Sequence, residues 1–156
     1  MKTETHIVFG LGVAVLAAAA AAEIGLGRSC LVPLVLASAG IHVAIDSLSH
    51  ETVQAFSLRT RMLHSVETLT PLSVAAGLVA GYVAGGSLEC ELGGAAVFLA
   101  SGLSHLFLDA LNPTGVWLLG RRVSIPMGRW DDPVLNGVFS IAGFSLALIG
   151  VLIVLG

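Results

Sequence analysis

The chain alternates between long apolar stretches and short polar connections. Five apolar stretches, each 16 to 22 residues long, cover residues 7–22, 30–45, 69–84, 92–111 and 134–155. Stretches of this length are typical of helices that cross a lipid bilayer. Gly, Ala and Ser are abundant in all five, as expected where membrane helices pack closely. The pattern predicts an all-α fold, a helical integral membrane bundle of about five transmembrane helices, in which residues 1–156 form a single domain.

Composition favours a membrane protein over a soluble domain. Hydrophobic residues make up 56% of the 156 residues and charged residues only 11%, whereas soluble domains are typically about 45–50% apolar. The net charge of −3 and the lack of a basic run in the sequence argue against a nucleic-acid partner. Lys2 and the Ala-rich run after it also resemble a secretory signal peptide. The length of that run and the apolar segments that follow it favour a first transmembrane helix.

Six of the seven basic residues fall at the N-terminus or in the second and fourth connections, and the exception is Arg28 in the first connection. Arg59 and Arg61 lie between the second and third stretches, and Arg121, Arg122 and Arg129 lie between the fourth and fifth. By the positive-inside rule, these connections and the N-terminus face the cytoplasm. We therefore expect an integral protein of the cell (plasma) membrane with its C-terminus outside.

The same topology brings the two cysteines together at the external end. Cys30 begins the second stretch and Cys90 precedes the fourth. Two cysteines this far apart in sequence are too few for a zinc–thiolate cluster. We predict instead that they form a disulfide on the external side.

Ionisable residues gather at the cytoplasmic ends of the predicted helices. This group comprises His6, His42, Asp46, His50, Glu51, His64, His105 and Asp109. Two His–Asp pairs, HVAID and HLFLD, have the four-residue spacing that puts both side chains on one helix face. We expect each pair to aim an imidazole nitrogen and a carboxylate oxygen at one point. A divalent cation binds both atom types and would balance carboxylates placed near hydrocarbon.

Each of these residues also has a simpler interpretation. A lone His–Asp pair at this spacing is often a hydrogen-bonded capping or packing pair. His6 and Asp46 are compatible with solvated positions at helix ends. His50 and Glu51 fit either a position behind metal ligands or a solvated turn. The convergence of several such residues on one end of the bundle favours a metal site.

Four motifs resemble those of the YdjM-like membrane-bound metal-dependent hydrolases, in particular their archaeal branch. They are TH at residues 5–6, AID at 44–46, RTRMLHS at 59–65 and GLSHLFLDALNPTGVWLL at 102–119. That family is similar in turn to the zinc-dependent phospholipase C and nuclease superfamily, whose all-helical enzymes cleave phosphoesters.

The resemblance implies one or two divalent metal ions, which are zinc in that superfamily. The ligands of the first ion would be Asp46, His64, His105 and Asp109. His6 would hold a second ion, with Asp109 as a bridge between the two. The catalytic residues would be Asp46, His64 and Asp109. Additional ligands, or residues behind the ligands, would be His42, His50 and Glu51.

The expected activity is hydrolysis of a phosphoester in a membrane lipid or lipid-linked substrate. Candidate phosphate-binding residues are Arg59, Arg61, Arg122 and Arg129, whose alternative role is to set topology and contact anionic headgroups. The sequence has neither the GxSxG motif nor the Cys–His pairing of covalent serine or cysteine catalysis. Residues 112–130 are expected to leave the fourth helix at Asn112 and Pro113 and to form an interfacial or re-entrant piece that covers the site.

Two other functions are compatible with the sequence. One is a non-catalytic membrane protein with a structural or sensory metal site, and the other is a small metal or proton carrier. A carrier is expected to place ionisable residues along a path through the membrane. Here these residues gather at one end, and their number exceeds what a structural site needs, so the sequence favours an enzyme.

Overall fold

The computed structural model describes the backbone of residues 1–48, 50–53, 56–59 and 63–156, and the side chains of residues 1–48 and 63–156. Within these residues, five long α-helices make up most of the fold. They are α1 (Thr3–Glu23), α2 (Leu31–Leu48), α3 (Val66–Gly85), α4 (Leu88–Ala110) and α5 (Pro133–Leu155), with a short 3₁₀ helix (Arg28–Cys30) before α2. Each of the five is long and apolar enough to cross a membrane, which confirms the predicted helical membrane bundle.

All of the helices except α2 begin earlier than their apolar stretches. α3 and α4 start at Val66 and Leu88 because polar residues cap their first turns. The Ser65 hydroxyl accepts a hydrogen bond from the Thr68 N–H, and the Ser87 hydroxyl accepts one from the Cys90 N–H. An apolar stretch begins at the first apolar residue, whereas the helix itself begins one turn earlier, at the residue that follows the N-cap.

Two antiparallel hairpins connect helices at the same end of the bundle. The first joins α2 to α3 and pairs β1 (His50–Val53) with β2 (Phe56–Arg59). The second joins α4 to α5 and pairs β3 (Val116–Leu118) with β4 (Arg121–Val123). The predicted interfacial or re-entrant piece therefore contains a β-hairpin.

Many small and polar residues lie in the interior beside a few leucines, while most other large apolar side chains face outward. α1 buries His6, Gly10 and Ala14. α5, in contrast, exposes large side chains such as Ile141 and Phe144. This arrangement is typical of membrane helices, because lipid solvates large apolar side chains and polar groups turn inward.

α1 and α4 lie at the centre of the bundle, since they are the most buried of the five helices and pack against each other and against α2. α1 also packs against α5, and α4 against α3. The helix backbones approach closely where glycines meet. A Cβ added to Gly77 of α3 would overlap the backbone of Gly94 on α4, and one added to Gly12 of α1 would overlap Gly143 on α5. Close packing of helices thus explains the abundance of glycine in the apolar stretches.

A disulfide joins α4 to the segment that begins α2. Cys30 and Cys90 are bonded, with their Cα atoms 6.0 Å apart and 60 residues of sequence between them. Both lie at the bundle end opposite the two hairpins, because α2 and α4 run from the disulfide towards the hairpins. The predicted pairing of the two cysteines is confirmed.

Candidate metal centre

Four buried histidines come together at the hairpin end of the bundle. His6 lies in the first turn of α1, His42 in the second half of α2, His64 just before α3, and His105 near the end of α4. Each of these side chains is at most 1% exposed. Burying this many polar rings near hydrocarbon is costly unless each finds a polar or cationic partner.

The carboxylate of Asp109 lies at the centre of this group and is fully buried. Its Oδ1 is 3.3 Å from the Nε2 of His6. Its Oδ2 is 3.1 Å from the Nε2 of His64 and 3.4 Å from the Nε2 of His105. The His105–Asp109 pair therefore converges as its four-residue spacing predicts, and three imidazole nitrogens from three segments surround one carboxylate.

Asp46 supplies a second carboxylate at the edge of the cluster. Its Oδ1 lies 3.5 Å from the Nε2 of His105, and its side chain is 15% exposed. The predicted convergence of His42 and Asp46 on one point is wrong. Both contact His105 instead, His42 at Nδ1 and Asp46 at Nε2, because the two residues approach that ring from opposite sides.

The ring of His42 is held by hydrogen bonds at both of its nitrogens. Its Nδ1 is 3.2 Å from the Nδ1 of His105, and its Nε2 is 2.9 Å from the hydroxyl oxygen of Ser101. The sequence analysis did not identify Ser101. Its spacing in the sequence could have identified it. Four-residue intervals separate Ser101, His105 and Asp109, so the three residues share one face of α4.

The second hairpin fixes the segment that carries His64. The Trp117 N–H donates a 2.8 Å hydrogen bond to the His64 carbonyl, and Ser65 forms a bridge with the same strand residue. Glu67 accepts hydrogen bonds from the Ser65 hydroxyl at 2.8 Å and from the Gly120 N–H at 3.3 Å. The piece predicted to cover the site thus contacts the backbone of one of its histidines.

The donor atoms of this cluster suit a divalent cation. His64, His105 and Asp109 bring their ligand atoms within 4.8 Å of one another, and His6, His42 and His105 do the same. Among the side chains that the structure describes, the Nδ1 of His6 has no hydrogen-bond partner, and the Nε2 of His105 faces two carboxylate oxygens at 3.4 and 3.5 Å. Imidazole nitrogens and a carboxylate are common ligands of zinc and similar ions. The buried His/Asp groups are therefore able to bind a metal ion.

The remaining predicted site residues lie outside this cluster or outside the described side chains. Arg122 is exposed on β4, and Arg129 forms a 3.2 Å salt bridge with Asp131 at the surface. The side chains of residues 49–62 lie outside the described part of the chain. That range includes the predicted site residues His50, Glu51, Arg59 and Arg61.

Comparison of the chain with protein-family models, with curated proteins and with solved structures found no match. The resemblance to the YdjM-like hydrolases therefore stays a prediction. The function of the chain has to be inferred from the chemistry of the site itself.

Proposed function

We propose that the chain is a membrane-embedded, metal-dependent hydrolase that cleaves a phosphoester in a lipid or lipid-linked substrate. The observation that carries this proposal is the convergence of three buried Nε2 atoms, from His6, His64 and His105, on the carboxylate of Asp109. A cluster of this kind is expensive to bury without a cation and supplies the ligand types that a catalytic divalent metal needs.

Most residues of the cluster are proposed as metal ligands, and Asp46 is also proposed as a proton acceptor. His64, His105 and Asp109 would hold the first ion, zinc in the proposal, and His6 would support a second. A bound divalent cation would polarise the phosphoryl group and activate water at neutral pH. Asp46 contacts His105 and keeps 15% of its side chain exposed. We therefore assign Asp46 to accept the proton of the attacking water as well as to complete the ligand set.

The position of the site favours an amphiphilic substrate. The cluster lies where α1 and α3 begin and α2 and α4 end, so in a bilayer it would lie near the level at which lipid headgroups meet their tails. Arg122 is exposed on the neighbouring hairpin, where it is available to a phosphate group. Arg59, Arg61 and Arg129 stay further candidates for that role.

We propose that the site faces the cytoplasm of the cell (plasma) membrane. The arginines of the hairpin connections support this orientation through the positive-inside rule. The Cys30–Cys90 disulfide at the opposite end supports it independently, because disulfides persist on the oxidising side of a membrane.

A second candidate is a structural or sensory metal site without catalysis. The observation that favours it is burial, since His6, His64, His105 and Asp109 are all at most 1% exposed. Structural metal sites are closed to solvent, whereas catalytic sites keep a position open for substrate or water. Exposure of Asp46 at the edge of the cluster is what favours the enzyme.

The two candidates are separated by measuring bound metal and hydrolysis in the same preparation. The protein would be purified in detergent without chelator or a polyhistidine tag, and its metal content would be measured by elemental mass spectrometry. Hydrolysis would then be followed by mass spectrometry of the lipid products in mixed micelles that contain a phospholipid or a polyprenyl phosphate. Cleavage of a phospholipid diester leaves the phosphate on one of the two products, whereas cleavage of a polyprenyl phosphate releases inorganic phosphate. Asp109→Asn is the test variant, and Glu23→Gln, which alters an exposed carboxylate at the other end of the bundle, is the control.

Stoichiometric metal binding and hydrolysis that are both lost in Asp109→Asn, but kept in Glu23→Gln, would support the hydrolase. Metal binding that requires Asp109, in protein that shows no hydrolysis, would support the structural or sensory site. Wild-type protein that neither contains nor takes up a divalent metal would contradict both candidates.

A further inference from the structure

A line of three side chains leads away from the metal centre into the bundle. It runs from Ser101 on α4 to His42 on α2 and back to His105 on α4. The distances are 2.9 Å from the Ser101 hydroxyl oxygen to the Nε2 of His42, and 3.2 Å between the Nδ1 atoms of the two histidines. All three residues are fully buried. Water therefore does not compete for these hydrogen bonds, and the three groups must satisfy one another.

Neutral imidazole permits only two arrangements of protons along this line, because each ring has one donor nitrogen and one acceptor nitrogen. In the first, Ser101 donates to His42, His42 donates from Nδ1 to His105, and the Nε2 of His105 carries a proton. In the second, His105 donates from Nδ1 to His42, His42 donates from Nε2 to Ser101, and the Nε2 of His105 presents a lone pair.

The surroundings of His105 decide which arrangement is stable. Its Nε2 faces the Oδ2 of Asp109 at 3.4 Å and the Oδ1 of Asp46 at 3.5 Å. Without a cation, two carboxylates favour a proton on that nitrogen, which is the first arrangement. With a cation between them, the nitrogen must present its lone pair, which is the second.

We propose that Ser101 and His42 are positioning residues for His105. We call the line Ser101–His42–His105 the relay, and we propose that both of its hydrogen bonds reverse donor and acceptor when a cation binds. The proposal rests on the metal site of the proposed function. It adds that Ser101 and His42 determine which nitrogen of His105 carries the proton. In this role His42 is not a ligand, because its Nδ1 is occupied by His105 and its Nε2 by Ser101. Partners of this kind orient a ligand and raise its basicity.

The packing of α1 against α2 holds the His42 ring in place. The ring lies against the bare Cα of Gly10, where an added Cβ would overlap the ring atoms Nε2 and Cε1. The ring therefore has no space to turn towards α1, so that rotation away from His105 and Ser101 is blocked on that side.

The relay is tested by comparing variants that keep or remove the acceptor of His42. His42→Asn places an oxygen near the position of Nδ1, so it still accepts a hydrogen bond from His105. His42→Leu has no acceptor, and Ser101→Ala removes the far end of the relay. The matched control is Ser104→Ala. Its hydroxyl is also buried on α4, but it donates only to the backbone carbonyl of Ser101.

The first readout is zinc affinity, measured by competition with a chelator on the full chain in detergent. Loss of an outer partner of a metal-bound histidine typically weakens binding by about 10- to 100-fold, which is the expectation for His42→Leu. His42→Asn should bind within about threefold of wild type, because one neutral hydrogen bond is kept. Ser104→Ala should match wild type. Formation of the disulfide at the opposite end of the bundle reports that each variant has folded.

The second readout is the protonation of each ring nitrogen, from ¹⁵N NMR of histidine-labelled protein with and without metal. The proton of His105 is expected to move from Nε2 to Nδ1 on loading, and the proton of His42 from Nδ1 to Nε2. With ¹¹³Cd as the metal, coupling to a nitrogen of His42 would show that His42 is a direct ligand and would overturn the proposal. Unchanged affinity in folded His42→Leu would overturn it as well.

Failure of the relay and failure of the metal site give different results. If wild-type protein binds no zinc, the proposed function fails, and the relay fails with it before any variant is compared. If wild-type protein binds zinc but His42→Leu and His42→Asn bind it equally well, only the relay fails. Neither readout depends on catalytic turnover.

Discussion

Replacing Gly10 by alanine should weaken metal binding by displacing His42, which we propose is a positioning residue and not a ligand. The added Cβ would lie 2.8 Å from the Cδ2 of His42 and closer still to its Nε2 and Cε1, whereas ordinary contact begins near 3.4 Å. The ring, which is fully buried, must therefore move by more than half an ångström at Cδ2 and by more at the nearer atoms. Overpacking of this kind costs about 1–3 kcal/mol of stability.

The displaced ring would lose its 2.9 Å and 3.2 Å hydrogen bonds to Ser101 and His105. We expect zinc affinity to fall by about 10- to 100-fold, which corresponds to about 1.4–2.7 kcal/mol of binding free energy. The assay is chelator competition in detergent, with the ¹⁵N NMR signals of His42 as a local readout of ring position.

Two other glycines provide matched controls. A Cβ on Gly40 of α2 meets nothing within 4 Å, so Gly40→Ala should leave zinc affinity unchanged. A Cβ on Gly150 of α5 would lie 2.9 Å from the Cγ1 of Val15 on α1, so Gly150→Ala overpacks the contact between α1 and α5 without touching His42. If Gly150→Ala lowers affinity as much as Gly10→Ala does, the effect is general destabilisation. If Gly10→Ala binds zinc like wild type with unshifted His42 signals, the reasoning is refuted.

Three further predictions follow from other parts of the structure. Reduction of the Cys30–Cys90 disulfide should lower the free energy of unfolding by up to about 4 kcal/mol, which is the loop-closure value for its 60-residue separation, and should leave bound metal unchanged. Denaturation curves with and without reductant measure this effect, and equal curves would contradict it. In intact cells, an impermeant maleimide should label Ile24→Cys but not Leu119→Cys, both exposed; the reverse pattern would invert the proposed orientation. Gly115→Val should disrupt the second hairpin, because Gly115 has a φ of +61° and its Cβ would overlap the carbonyl of the strand opposite; zinc affinity should fall, and wild-type affinity would show that the hairpin does not support the site.

The apolar pattern alone determined the number of helices and their approximate ranges. In hydrocarbon every backbone polar group must be satisfied within the segment, so a long apolar run has little alternative to a helix. The hydropathy pattern missed the first turns of α3 and α4, whose polar caps lie outside the apolar stretches. It also gave no indication of the two short hairpins, because three- or four-residue strands carry too weak a periodicity.

The sequence also determined which polar residues share one end of the bundle. Alternating helix directions place the start of α1 and the ends of α2 and α4 together, and this brings His6, His42 and His105 to one level. The same reasoning placed Cys30 and Cys90 at the other end, where the disulfide forms.

Only the tertiary structure decided which atoms face one another. The rotation of each helix about its axis depends on close backbone contacts such as the one between Gly77 and Gly94, and a hydropathy pattern does not encode them. That rotation turned His42 away from the point where Asp46 meets His105, and brought it to Ser101 instead. The sequence thus fixes where ionisable groups are placed along the membrane normal, because hydrocarbon excludes them. Packing determines their geometry, because close contacts between helix backbones set the rotation of each helix.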